Sequence, residues 1–112
     1  MELKRVVVTG LGAVTPVGNS PEETWQNLVA GKSGAAPITQ FDTTNFKTKF
    51  ACEVKNLNVC DYLDRKEVRK MDRYTQLAMI SAIQGVKDSG LDLETVDKSR
   101  IGVVYGVGIG GI

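Results

Sequence analysis

A cluster of positive side chains is the strongest chemical signal in this sequence of 112 residues. Its members are Arg65, Lys66, Arg69, Lys70 and Arg73. On one unbroken helix, at about 100° per residue, they project within an arc of roughly 140°. A kink near Met71 would split this arc. Residues 65–73 carry a net charge of +3, whereas the whole chain carries +1. Such a face attracts an acidic partner and speeds its association. The alternatives are an ordinary solvated helix face and ion pairs within the chain.

A glycine-rich segment is the second candidate, because Gly106, Gly108 and Gly111 follow the apolar run at residues 101–105. Their spacing, G-x-G-x-x-G, matches the dinucleotide-binding pattern. That pattern also needs a helix that opens at the third glycine and an acidic residue about 20 positions later. Neither feature lies within the sequence. The alternative is a tight turn at which the backbone closely approaches a ligand or another chain segment.

Cysteine chemistry is the third candidate, because the chain has Cys52 and Cys60 and no histidine. Two cysteines without histidine cannot complete a four-ligand zinc site. A nucleophilic cysteine needs a nearby cation, a histidine or a helix N-terminus. Cys60 precedes a predicted helix start, but Asp61 and Asp64 would oppose a thiolate there. We therefore predict no catalytic residue, no metal site and no cofactor in this chain.

The elements that would position these residues follow the order strand, helix, irregular segment, helix, strand. Residues 5–9 and 100–105 are rich in β-branched side chains on both faces, which is typical of strands in a parallel sheet. Ser20, Pro21 and Glu23 predict a helix start with a capping box, and Gly31 predicts its end. This order predicts an α/β layered fold with a parallel pair of strands.

The middle of the chain is predicted to hold a loop, an exposed strand and a long helix. Residues 32–46 are rich in loop-forming types, and residues 46–54 partly alternate as in an exposed strand. The helical pattern begins at residue 61, is apolar on most faces over residues 74–86, and ends at Gly90. A helix this apolar is normally buried in a larger structure. We therefore expect the chain to be truncated after residue 112.

Composition excludes several classes of function. The hydrophobic content of 42% and the charged content of 24% are those of a globular domain. A net charge of +1 gives no general attraction to nucleic acid or to a membrane surface. No stretch approaches the ~20 apolar residues of a membrane span, and the first apolar run is too short for a signal peptide. These features predict a cytoplasmic protein that does not bind nucleic acid.

Six segments, in order along nearly the whole chain, resemble one enzyme family, the β-ketoacyl-[acyl carrier protein] synthases. They read V-V-V-T-G-L-G-A-V-T-P-V-G (6–18), G-K-S-G (31–34), F-D-T (41–43), D-R-K-E-V-R-K-M-D (64–72), D-S-G-L (88–91) and G-V-G-I-G-G (106–111). The fourth and the last look most like the type II synthases of bacterial fatty-acid synthesis.

The resemblance implies a partial thiolase-like fold, the N-terminal part of the first half of a layered α/β/α/β/α core. Family members are several times longer, form homodimers, and elongate acyl chains by decarboxylative condensation with malonyl-[acyl carrier protein]. Residues 1–112 would then be an incomplete N-terminal segment. The family's nucleophilic cysteine and two histidines lie beyond it, so the isolated chain is predicted to be inactive.

The resemblance also assigns binding roles. Lys66, Arg69 and Lys70 match positions that contact the acidic helix of acyl carrier protein. Ile109 matches a residue that lines the acyl pocket and acts as its gate, so the glycines around it would serve close packing and backbone movement. Two alternatives remain at this point: a non-catalytic module that binds acidic carrier proteins, and a dinucleotide-binding fragment.

Overall fold

The computed structural model describes residues 3–111, which form three helices and one small sheet. The helices are α1 (Pro21–Val29), α2 (Arg65–Val68) and α3 (Arg73–Ser89). Strands β1 (Ala36–Pro37) and β2 (Phe50–Ala51) pair antiparallel, with Ala36 opposite Ala51 and Pro37 opposite Phe50. Two short 3₁₀ turns lie at Val59–Asp61 and Lys98–Arg100.

Helix α1 begins and ends where the sequence predicts. The Ser20 hydroxyl accepts a hydrogen bond from the Glu23 backbone N–H at 3.2 Å, and Pro21 occupies the first helical position. The Glu23 carboxylate accepts from the Asn19 N–H at 2.7 Å, one residue earlier than a standard capping box. Gly31, just past the helix, has φ +68°, a left-handed conformation that favours glycine.

Helix α3 is the longest element, and Gly90 ends it in a left-handed conformation with φ +66°, as predicted. The expectation of a buried helix is met at Ile80, which is fully buried. Met79, Ile83 and Val86 on other faces remain about 40% exposed. The helix is therefore covered along one side and leaves other apolar faces open.

Helix α3 packs closely on the backbone of residues 10–13. A Cβ placed on Gly12 would collide with the Ser81 carbonyl of α3, so the approach needs glycine here. Side chains of α3 also satisfy this backbone: Asp88 accepts from the Leu11 N–H at 2.9 Å, and Gln84 accepts from the Ala13 N–H at 3.0 Å. Close packing and hydrogen bonding together fix this crossing.

The two predicted long strands are wrong for this structure. Residues 5–9 have no regular secondary structure, and residues 100–105 have none beyond the last residue of the 3₁₀ turn Lys98–Arg100. Val6 is 88% exposed and Val104 is 98% exposed. A strand needs a neighbour that accepts and donates its ladder hydrogen bonds. No described segment pairs with either run, so the predicted parallel pair does not form.

Two predicted boundaries in the middle of the chain also change. The strand predicted over residues 46–54 shortens to Phe50–Ala51, and its partner Ala36–Pro37 lies inside the predicted loop of residues 32–46. The single helix assumed through residues 65–73 is broken, because α2 stops at Val68 and α3 starts at Arg73. The five cations therefore do not share one helical arc.

The described structure exposes more surface than a folded domain of this mass. Its accessible surface is 9396 Å², whereas about 6,000 Å² is typical for 12.1 kDa. The radius of gyration is 17.3 Å, whereas about 13 Å is typical for this length. Apolar side chains in residues 6–8 and 103–107 contribute to the excess.

Candidate functional site

The cations of residues 65–73, here called the cationic corner, lie on a bend between two helices. Asp64 caps α2 by accepting from the Lys66 N–H at 2.8 Å. Lys66, Arg69 and Lys70 are all exposed. Lys70 pairs with Glu67 at 2.9 Å, the one ion pair found among residues 3–111. Lys66 and Arg69 therefore present free charges to solvent.

One side chain of α3 holds the bend in place. The Gln76 amide donates to the Val68 carbonyl at 3.2 Å and to the Met71 carbonyl at 3.1 Å. Its oxygen lies 3.5 Å from the Arg73 guanidinium, which donates to it. Gln76 thus adds a second bond to the Val68 carbonyl, which also accepts from the Met71 N–H at 3.3 Å, and binds the Met71 carbonyl in the bend. Sequence reasoning missed this residue, because a glutamine in a helical pattern gives no sign of a long-range partner.

An apolar groove of about 580 Å³ lies between α3 and the residues that follow the last 3₁₀ turn. Tyr74, Ala78 and Ala82 line it from the helix. Val103, Tyr105 and residues 106–108 line it from the opposite side. The alanines leave space that larger side chains would fill. The groove offers apolar surface to a hydrophobic chain.

The glycine-rich segment at residues 106–111, here called the pocket segment, runs beside this groove. Ile109 is 77% exposed. Gly110 has φ +77°, and a Cβ placed on it would lie 3.6 Å from the Tyr74 ring. A Cβ on Gly111 would collide with the Asp72 carboxylate. The pocket segment therefore contacts the start of α3, immediately after the cationic corner.

The dinucleotide pattern lacks its structural context within residues 3–111. A phosphate-binding glycine turn connects a strand to a helix N-terminus. Residues 101–107 are not a strand here, and no helix begins within the part of the pocket segment that the structure describes. The structure supports a close approach to the start of α3 for Gly111, whereas a Cβ on Gly106 or Gly108 would meet open space.

Neither cysteine is placed for catalysis. Cys52 and Cys60 are exposed free thiols. Cys60 lies within the three-residue turn Val59–Asp61, where its N–H donates to the Asn58 side chain at 3.3 Å. A turn this short provides no helix N-terminus to activate a thiolate. Among the residues that the structure describes, no group of three metal-ligating side chains occurs.

The carboxylates with perturbed pKa values stabilise loops. Glu53 accepts from the Thr39 hydroxyl at 2.8 Å and from the Thr39 and Gln40 backbone N–H groups. These bonds, the hydroxyl first, hold the pKa of Glu53 below its ordinary value. The pKa values of Asp42 and Asp97 are lowered in the same way by Thr44 and Ser99. None of the three lies in the cationic corner or lines the groove.

Comparison with known proteins identifies the family. Residues 3–112 match the family model described as "Beta-ketoacyl synthase, N-terminal domain". The chain belongs to the β-ketoacyl synthase family. It is 49% identical over 112 residues to 3-oxoacyl-[acyl-carrier-protein] synthase 2 of Coxiella burnetii and 47% identical to the same-named protein of Vibrio cholerae. Each match covers 100% of this chain and 27% of the relative. The chain thus spans about a quarter of the length of these β-ketoacyl synthases.

A solved ketosynthase has the same arrangement of the backbone. "The ishigamide ketosynthase/chain length factor" superposes with a TM-score of 0.73 and 38% identity, over 79% of this chain and 22% of that one. The prediction of a partial thiolase-like α/β fold is therefore confirmed, although the two long strands lack their ladders. Among residues 3–111, no helix is long and apolar enough to cross a membrane.

Proposed function

We propose that this chain is the N-terminal segment of a 3-oxoacyl-[acyl carrier protein] synthase that elongates acyl chains in fatty-acid biosynthesis. The observation that carries the proposal is the match of residues 3–112 to the family, with relatives of that name nearly half identical over the whole chain. Because the match covers 27% of those relatives, we treat residues 1–112 as one part of a longer protein, here called the full-length synthase. We further propose that it acts in the cytoplasm as a homodimer.

The cationic corner would bind the acidic helix of acyl carrier protein through Lys66, Arg69 and Lys70. The exposure of all three supports this role, as does the absence of an ion-pair partner for Lys66 and Arg69 among the described residues. Lys70 must exchange its pair with Glu67 for a carboxylate of the partner. An exposed pair contributes about 0–1 kcal/mol, so Lys70 should add less affinity than Lys66 or Arg69.

The apolar groove and Ile109 would form one wall of the acyl pocket. The exposure of Ile109 and the apolar lining immediately before it, through Tyr105 and Val107, support this assignment. The reacting groups would come from the remainder of the full-length synthase. There a cysteine would carry the acyl group as a thioester, and two histidines would assist decarboxylation of the malonyl group, as the family resemblance implies.

Product formation tests the proposal. The full-length synthase and the isolated chain of 112 residues would each be incubated with acyl- and malonyl-[acyl carrier protein], and the carrier protein analysed by mass spectrometry. We expect 3-oxoacyl product with the full-length synthase and none with the isolated chain. Product from the isolated chain would refute the assignment of the chemistry to other residues. A full-length synthase without product would refute the activity itself.

A non-catalytic module that binds acidic carrier proteins is the second candidate. The exposed cationic corner favours it. It predicts that the isolated chain folds and binds carrier protein with an affinity that falls as salt rises. Titration of carrier protein into the isolated chain, at low and high salt, distinguishes the two candidates when read beside the product assay.

A further inference from the structure

The cationic corner and the pocket segment meet at the first turn of α3. We infer that Gln76 and Tyr74 are positioning residues that couple the docking of carrier protein at the cationic corner to the setting of the pocket segment around Ile109. This inference rests on the proposed function, because it takes the corner as the docking site and the groove as the acyl pocket. It adds a physical connection between them.

Gln76 is the first half of the connection. Helix α2 has four residues, too few to hold its own conformation in water. Its position relative to α3 depends on the bonds from the Gln76 amide to the Val68 and Met71 carbonyls. A partner that binds Lys66 and Arg69 therefore acts on a segment that these two bonds hold against α3.

Tyr74 is the second half of the connection. It lies two residues before Gln76 on α3 and lines the apolar groove together with Gly106, Val107 and Gly108. Its ring lies 3.6 Å from the place that a Cβ on Gly110 would occupy. Gly110 is left-handed, and it directly follows Ile109. The position of the Tyr74 ring thus limits where the backbone next to Ile109 can lie. Asp72 adds a second contact through Gly111.

The two halves share one rigid turn. Residues 73–76 are helical, and the Gln76 N–H also donates to the Asp72 carbonyl at 3.1 Å. A shift of α2 on docking would pass through Gln76 into this turn and reach Gly110 through Tyr74. The consequence is a difference between substrates: an acyl group presented on carrier protein should gain from the connection, and one presented without it should not.

The test compares two substrates in the full-length synthase. One is acyl-[acyl carrier protein], and the other is the same acyl group as a pantetheine thioester, which cannot contact the cationic corner. For Gln76→Met we expect kcat with the carrier-bound substrate to fall about tenfold, the effect of losing two hydrogen bonds. We expect kcat with the thioester to stay within about twofold, since that substrate does not use the connection. Gln26→Met is the matched control, because Gln26 bonds only Glu22 on the exposed face of α1.

A second variant separates coupling from a folding defect. Tyr74→Leu leaves every side-chain bond of Gln76 intact and removes the ring beside the pocket segment. Because Tyr74 also lines the groove, we expect kcat to fall with both substrates, and to fall further with the carrier-bound one. Combining it with Gln76→Met should add little, because both changes break one connection. Equal losses with both substrates, or additive losses in the combined variant, would overturn the inference.

Failure of the docking proposal would give a different result. Charge reversal at Lys66 and Arg69 would then leave KM for the carrier-bound substrate unchanged. Gln76→Met tests the connection independently of that result, because it leaves every cation of the corner in place.

Discussion

The loops within residues 15–56 and the two apolar runs differ in where their stabilising partners lie. The apolar runs are residues 5–9 and 100–105. In the loops, polar groups find partners within the segment: the Lys55 ammonium donates to the Gly34 carbonyl at 2.7 Å, and the Asn19 amide donates to the Lys55 carbonyl at 2.9 Å. In the apolar runs, Val6 and Val104 lie almost fully exposed. The loops satisfy their polar groups with their own bonds, whereas the apolar runs find no covering partner among residues 3–111.

This difference follows from the range of each interaction. A cap, a turn or a carboxylate beside backbone N–H groups needs neighbours a few residues away or one folded hairpin. A strand buried on both faces needs a ladder partner on each side and covering layers above and below. A segment that spans 27% of its relatives supplies the first kind of contact and lacks the second.

The largest expected effect comes from a charge in an apolar run. Val104→Asp should leave the isolated chain unchanged, because Val104 is 98% exposed there. In the full-length synthase, where we expect this run to be covered, it should destabilise the fold by about 4 kcal/mol, the cost of an unpaired buried charge. Thermal unfolding of the full-length variant measures this loss. Thr48→Asp, at an exposed polar position, is the control. An unchanged unfolding temperature for Val104→Asp would show that this run is not covered in the full-length synthase.

The next effect comes from the close packing of α3 on residues 10–13. Gly12→Val should destabilise the full-length synthase by about 3 kcal/mol, because its side chain would overlap the α3 backbone. Ala35→Val adds comparable bulk at an exposed site and should change stability by no more than about 0.5 kcal/mol. Similar unfolding temperatures for the two variants would contradict the described packing.

Charge reversal in the cationic corner should give an intermediate effect, on binding instead of folding. With Lys66→Glu and Arg69→Glu together, we expect KM for carrier-bound substrate to rise about 30-fold at low salt, from about 1 kcal/mol per charge. The difference should shrink as salt screens the charges. Steady-state kinetics at two salt concentrations measure it. Lys98→Glu, an exposed cation outside the corner, is the control. An unchanged KM would refute the docking role.

The smallest effect tests the hydrogen-bonded loops. Hydrogen bonds to the ionised Glu53 carboxylate lower its pKa, so the group stabilises the folded state above its unfolded pKa near 4.5. That contribution is lost as pH falls through the lower, folded pKa. Glu53→Gln should therefore lower stability slightly at pH 7 and reduce the loss of stability on acidification. Unfolding temperatures measured from pH 7 to pH 3 would show this, and parallel curves for variant and wild type would contradict it.

Local signals in the sequence predicted local structure well. The start of α1 at Ser20 and the ends of α1 and α3 at Gly31 and Gly90 follow from cap chemistry, which involves a few neighbouring residues. The prediction of two long strands was wrong, because no described residues pair with either run. The partial thiolase-like fold was predicted from six sequence segments together, and no single element indicated it.

The candidate site was predicted only in part. The exposure of Lys66, Arg69 and Lys70 agrees with a cationic surface, but the break at residues 69–72 could not be read from helical spacing. The role of Gln76 depends on a contact back to Val68 across that break. The Tyr74 ring lies beside the space above Gly110, 36 positions along the chain, and no periodicity reports such an approach. Lys66, Arg69, Lys70 and Ile109 remain predictions as functional residues.

Transplanting this chain into a relative tests directly whether it can serve as the N-terminal segment of a 3-oxoacyl-[acyl carrier protein] synthase. A chimera would carry these 112 residues in place of the matched residues of the Coxiella burnetii synthase, to which they are 49% identical. Production of 3-oxoacyl-[acyl carrier protein] would be measured by mass spectrometry against the unmodified relative. We expect the chimera to form product. We also expect it to lose affinity for carrier protein when the charges of Lys66 and Arg69 are reversed. A chimera that unfolds at the same temperature as the relative but forms no product would contradict this expectation.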